Sequence, residues 1–286
     1  MSFVLARQKS KTGFINFVSE DGQSWMPLPG TYKTKSILGL LEKGEQKTIS
    51  KFMEDKNSKK ISPEFLNCAP TVVEDGCDIW GAGLNYRVHA NDLKVEQPGS
   101  GPGSYLRPNG CLISNGDDIL LPSQSQRVTA EAELGLVIGQ QCKDVAREDW
   151  RSVVAAVTTV LDMTAEDVIR ENPRYIPWAK GFDTFCSIGP TLVPLDRFPD
   201  DRIAQLRVST IRNGDTIATA LVSDMRYDLG YLVSHFSAGR TLNPGTVICT
   251  GTPGAAVITD GDDVEAVVEF VGHLSHEVKA SKQSTN

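Results

Sequence analysis

A chain of 286 residues with a net charge of −7 and its acids and bases interspersed lacks the basic stripe that nucleic-acid binding requires, and it is long enough for an ample core. No segment offers the roughly 18 uninterrupted apolar residues of a membrane span, and the opening Met1-Ser2-Phe3-Val4-Leu5-Ala6-Arg7 lacks the apolar centre of a signal peptide. Cys68, Cys77, Cys111, Cys142, Cys186 and Cys249 are scattered without CxxC spacing, which reads as reduced thiols and a cytoplasmic location.

In chain order, residues 14–18 and 25–28 predict short strands around the turn signal Glu20-Asp21-Gly22, and residues 37–41 begin a helical segment. The polar run Lys56-Asn57-Ser58-Lys59-Lys60 predicts a loop near the boundary between a small N-terminal lobe, residues 1–70, and a larger domain, residues 71–280. Residues 281–286 read as a polar tail. The larger domain is strand-rich, with strands predicted at 118–122, at 131–139, at 153–161, at 205–210, at 246–250 and at 264–270, the last alternating with period two. Helices are predicted near 147–154, from 164 to 172 where Pro173 ends the pattern, and near 227–236. Periodicity alone gives a β-rich α+β fold.

The chemistry concentrates at Glu131-Ala132-Glu133, which leads into the apolar run Leu134-Gly135-Leu136-Val137-Ile138. Side chains at i and i+2 of a strand share a face. Two carboxylates side by side at a hydrophobic strand repel each other and lose hydration, so they need a cation or a strong donor between them. Oxygen ligands without nearby Cys or His favour Mg²⁺, Mn²⁺ or Ca²⁺ over zinc. Asp162 ends the β-branched run 153–161 and is placed to complete a three-carboxylate face. Lys180, isolated in Trp178-Ala179-Lys180-Gly181-Phe182, either snorkels to solvent or neutralises that cluster. Tyr86 and Tyr105 are candidates to line the pocket or to belong to the core.

Gly83-Leu84-Asn85-Tyr86-Arg87-Val88-His89-Ala90, Glu131-Ala132-Glu133-Leu134, Leu161-Asp162-Met163-Thr164-Ala165, Ala179-Lys180-Gly181-Phe182-Asp183-Thr184-Phe185 and Thr250-Gly251-Thr252-Pro253 follow one another in the order of a known family. Through these blocks the chain resembles the fumarylacetoacetate hydrolase superfamily, in the manner of its acylpyruvase and oxaloacetate decarboxylase members. The resemblance implies a mixed β-sheet roll with a small N-terminal lobe, usually assembled as a homodimer. It implies a Mg²⁺-, Mn²⁺- or Ca²⁺-dependent enzyme for a small β-diketo or α-keto acid, working through a metal-stabilised enolate. Hydrolytic C–C cleavage of an acylpyruvate-like substrate is the leading expectation. Decarboxylation or keto–enol isomerisation on the same site, or a diverged metal-binding member without catalysis, are the alternatives.

Residue by residue, the resemblance implies that Glu131, Glu133 and Asp162 hold the ion, that Lys180 contacts the enolate oxygen, and that His89 is the general base with Asp92 orienting it. It implies that Arg107, where the family often has Lys, contacts substrate or an ordered loop, and that Gly251 and Thr252 bind a substrate carboxylate or keto oxygen. His235, His273 and His276 read as structural. Several positions depart from the family: Asp92 replaces the usual Glu, Glu166 replaces an Arg that binds the substrate carboxylate, the segment 218–225 lacks the usual amide-rich loop, and the loop 252–262 is short. Glu166 is expected to repel an anion that the Arg would clamp.

Overall fold

Two long strands carry the centre of the molecule: Val128–Ile138, buried along its whole length, and Val154–Ala165, buried at all but one position. Both are rich in Val, Ala, Leu and Thr, whose compact or β-branched side chains suit a strand covered on both faces. They pair antiparallel with Glu131 opposite Asp162, Thr129 opposite Thr164 and Glu133 opposite Val160. A one-residue slip would turn every side chain to the other face, so burial of both faces fixes this register. The computed structural model describes residues 2–11, 13–30, 37–54, 60–62, 77–92 and 99–281.

The central pair sits in a large mixed sheet whose strands run, edge to edge, Met26–Pro27, Gly13–Ser19, Val4–Ser10, Cys186–Pro194, Val154–Ala165, Val128–Ile138, Val247–Cys249, Ile79–Gly83 and Gly103–Arg107. Ala255–Ile258 also pairs with Val128–Ile138, and Leu112–Ile113 with Cys186–Pro194. A second sheet, in the order Asp215–Leu221, Arg207–Arg212, Asp263–Val268, Gly272–Ala280 and Ile119–Leu121, packs against the central strands. Its strands Asp263–Val268 and Gly272–Ala280 alternate between buried and more exposed residues, as the period-two pattern predicts. The architecture is the β-rich α+β roll expected from the sequence.

Local differences have physical causes. Asp162 and Thr164 lie inside the strand rather than after it, because pairing with Val128–Ile138 continues to Ala165. The helix beyond is therefore short, Glu166–Glu171. The expected helix at 147–154 shrinks to a 3₁₀ turn, Arg147–Asp149, and one α turn, Trp150–Val153, before the strand takes over. Leu229–Ser237 forms as predicted, capped by Asp228, whose side chain accepts from the Tyr231 N–H at 2.8 Å. The first strands are continuous with the main sheet: Val4–Ser10 pairs with Cys186–Pro194, Leu5 opposite Leu192. The boundary at residue 70, the run 56–59 and the tail 282–286 lie outside the described residues. Among the described residues, no helix is long and apolar enough to cross a membrane.

Candidate metal centre and active site

The strand register alone brings Glu131, Glu133 and Asp162 together: Glu131 faces Asp162 across the pair, and Glu133 follows on the same face. All are buried, and one oxygen of each lies within 4.8 Å of the others. An all-oxygen set of this kind fits a hard divalent ion. The row continues along both strands, since the hydroxyls of Thr129 and Thr164 donate to Oε1 of Glu131 at 3.0 and 3.2 Å.

Lys180, carried just past the short helix Ile176–Ala179, reaches in from the neighbouring segment. Its Nζ lies 2.9 Å from Oδ2 of Asp162, 3.3 Å from Oε2 of Glu131 and 2.6 Å from Oγ1 of Thr164. Of the two sequence alternatives for this lysine, the structure has the one that neutralises the cluster. Arg107 is buried behind Asp162; its guanidinium donates to that carboxylate and to the carbonyls of Lys180 and Phe185. Tyr105, also buried, donates its hydroxyl to Asp162. Arg107 and Tyr105 thus serve the carboxylates directly.

These contacts divide the carboxylates into two kinds. Burial alone would raise Asp162, but the charges of Arg107 and then Lys180, with the bonds from Tyr105 and Lys180, hold it below the ordinary aspartate value. Among the described residues, Glu133 receives one hydrogen bond, from the Gly251 N–H at 2.7 Å. Burial, and after it the charge of Asp162, push Glu133 well above the ordinary glutamate value. Without an ion, burial and the neighbouring charge therefore favour the protonated form of Glu133, and an arriving cation must displace any proton it holds. Mn²⁺ or Mg²⁺ affinity is expected to rise with pH, by up to about tenfold per unit while Glu133 is protonated, with release of roughly one proton. Calorimetry in buffers of different ionisation enthalpy checks this; an affinity flat with pH and no proton release would show Glu133 already ionised.

Two glycines shape the site: Gly81, which sequence reasoning passed over, and Gly251. The ring of Tyr105 lies so close over Gly81 that a Cβ there would fall 1.9 Å from the ring's Cζ. Gly81→Ala is expected to dislodge Tyr105 and to lower stability by about 1–3 kcal/mol, the scale of overpacking, whereas Gly81→Ala with Tyr105→Leu should recover part of the loss. Equal unfolding midpoints for the single and double variants would exclude the clash as the cause. Gly251, at φ 96°, could not carry a side chain, since a Cβ would lie 2.8 Å from the Ala82 carbonyl oxygen and from the Asn85 Cβ. Its N–H is used to hold Glu133, and the Thr252 hydroxyl is turned onto the backbone of Gly254. Both expected substrate binders are thus engaged by protein groups.

His89 lies on the helix Arg87–Asp92, buried, with no hydrogen-bond partner for its Nδ1 among the described residues. Asp92 ends that helix, and its side chain lies outside the described residues. Tyr86, just before the helix, is fully buried. Glu166 differs from expectation: its carboxylate is bound by Arg127 across the strand pair and by Arg170 one helical turn on, at 2.6 Å. An anion near it would meet a compensated carboxylate between two guanidiniums, which corrects the expected bare repulsion. The signal lay in the four-residue spacing of Glu166 and Arg170.

Comparison with known proteins agrees with this geometry. The family description "Fumarylacetoacetate (FAA) hydrolase C-terminal" matches residues 78–279. An uncharacterized protein of Methanocaldococcus jannaschii is 34% identical over 230 residues, spanning 80% of this chain and 89% of its own. The mitochondrial oxaloacetate tautomerase Fahd2a of Rattus norvegicus is 30% identical over 204 residues, 68% of this chain and 64% of its own. Among solved structures, maleylpyruvate hydrolase from Sphingobium sp. SYK-6 in complex with manganese(II) and pyruvate superimposes with a TM-score of 0.79 at 27% identity, covering 98% of this chain and 100% of that one. With the ExE strand, the facing aspartate and the lysine in one cluster, and with the match running through all of them, the chain belongs to the fumarylacetoacetate hydrolase family.

Proposed function

We propose that this protein is a divalent-metal-dependent enzyme that hydrolyses a C–C bond of an acylpyruvate-like β-diketo acid. The observation that carries the reading is the composition of the buried cluster: three carboxylates, of which Glu133 is short of positive charge, against two fixed cations, Arg107 and Lys180. Glu131, Glu133 and Asp162 would hold an Mg²⁺ or Mn²⁺ ion, which supplies Lewis-acid stabilisation of negative charge developing on an α-keto acid as it enolises. The filled cluster would carry one net positive charge, complementary to a monoanionic keto acid. Lys180 keeps its proton, because burial, which would lower it, is outweighed by Asp162 and Glu131. It therefore acts as a fixed charge and donor beside the substrate oxygen. His89, whose buried Nδ1 has no partner among the described residues, would take a proton from water.

Keto–enol isomerisation or decarboxylation is the second reading. It is favoured by the tautomerase named among the relatives. Steady-state assays of acylpyruvates, oxaloacetate and fumarylacetoacetate with Mg²⁺ or Mn²⁺ separate the two. Pyruvate release from an acylpyruvate is the expected result; enol–keto interconversion without cleavage would establish the second reading. A metal-loaded protein inert towards every member of the panel would leave a binding role. The reading extends to a homodimer, supported by the exposed Tyr175–Trp178 pair beside the segment that carries Lys180 and tested by sedimentation velocity.

A further inference from the structure

The site contains two buried tyrosines in opposite states. Tyr105 has its hydroxyl bonded to Asp162. Tyr86, just as buried, has a hydroxyl with no hydrogen-bond partner among the described residues. An unpaired buried hydroxyl is destabilising, and native proteins retain few such groups without a functional reason.

The segment that carries Tyr86 is rigid. The Asn85 side chain donates to the carbonyls of Tyr227 and Thr250, each at 2.9 Å, and accepts from the Tyr227 N–H at 2.9 Å. Tyr86 itself forms an isolated antiparallel bridge with Met225. Asn85 packs directly on Gly251, whose N–H holds Glu133. Tyr86 borders a cavity of about 350 Å³ lined also by Arg87, Val88, Ser223, Asp224 and Met225, and it lies within reach of the charge of Glu133. Burial first, then the charges of Glu133 and Asp224, keep it protonated far above its ordinary value. Held neutral, it keeps the O–H proton that it can donate.

We propose that Tyr86 is a catalytic hydrogen-bond donor whose missing partner is an oxygen of the keto-acid substrate, the one on which negative charge grows as the enolate forms. The inference rests on the enolate reading above. It assigns Tyr86 a partner only in the complex, so the bond strengthens as charge develops and contributes to the rate rather than to folding.

The test compares wild type, Tyr86→Phe and Tyr105→Phe in four measurements: the melting temperature of the metal-free protein, Mn²⁺ affinity, and, with Mn²⁺ present, oxalate affinity and acylpyruvate turnover. Oxalate is used because it is a planar dianion shaped like an enolpyruvate. Tyr86→Phe should melt at or above the wild-type temperature and bind Mn²⁺ as wild type does. It should also lose on the order of tenfold or more in oxalate affinity and tenfold to a thousandfold in kcat. Tyr105→Phe should melt lower and bind Mn²⁺ more weakly. Oxalate affinity and kcat within twofold of wild type in Tyr86→Phe, or a melting temperature lowered as in Tyr105→Phe, would overturn the proposal. A wild-type protein that binds Mn²⁺ but neither oxalate nor any keto acid would overturn the enolate reading together with it, a result distinct from an active wild type matched by Tyr86→Phe.

Discussion

Asp162→Asn is expected to abolish divalent-ion binding and also to lower stability by about 3–5 kcal/mol, the scale for removing one partner from a buried ion pair. The double effect follows from its position. Asp162 is fully buried and is the acceptor for Tyr105, Arg107 and Lys180 at once. Its amide counterpart leaves the Arg107 guanidinium buried without its counter-charge. Glu131→Gln is the informative control. Lys180 would retain Asp162 at 2.9 Å, and the hydroxyls of Thr129 and Thr164 can bond an amide oxygen as they bond the carboxylate. This variant should therefore lose the ion with a much smaller change in unfolding free energy. Denaturant titration and Mn²⁺ calorimetry on both variants check the pair of outcomes. Unchanged Mn²⁺ and Mg²⁺ affinity in both would remove the metal site, and equal destabilisation would mean that Asp162 is not the anchor of the two cations.

How far the site was legible follows from the range of each interaction. Glu131 and Glu133 are separated by two residues on one strand, so their shared face is a local property of the chain and readable from it. Asp162 was readable as the residue that ends a predicted strand, but that it stands opposite Glu131, 31 residues away in the chain, depends on the register of the two strands, which only pairing settles. Lys180 was open between solvent and cluster in the sequence, and burial decides it. Arg107 and Tyr105 carried no local sign of serving Asp162, since their strand, Gly103–Arg107, reaches it only through the fold of the whole sheet. The glycine-containing strand Ile79–Gly83 went unread because Gly81 and Gly83 resemble turn signals. Gly81 is needed to seat the Tyr105 ring, a contact between strands. Likewise the N-terminal strands read as a separate lobe because nothing in their own sequence marks Cys186–Pro194 as their partner.

His89→Ala is expected to lower hydrolysis of an acylpyruvate by on the order of a hundredfold or more, the usual contribution of a positioned base, while leaving Mn²⁺ affinity within about twofold. The separation is expected because His89 lies on the helix Arg87–Asp92, whereas the carboxylates lie on the central strands. Removing the imidazole creates a small void but breaks no hydrogen bond at Nδ1, which has no partner among the described residues. Stability should consequently change less than in Asp162→Asn, and the kinetic loss should fall on kcat rather than KM. The same variant also distinguishes the two reactions. If His89 activates water, enol–keto interconversion of oxaloacetate should suffer much less than C–C hydrolysis. If both fall together, the imidazole moves a proton of the substrate itself, which supports the isomerase reading. If neither falls, His89 is a packing residue and the base must be sought elsewhere around Glu133 and Lys180.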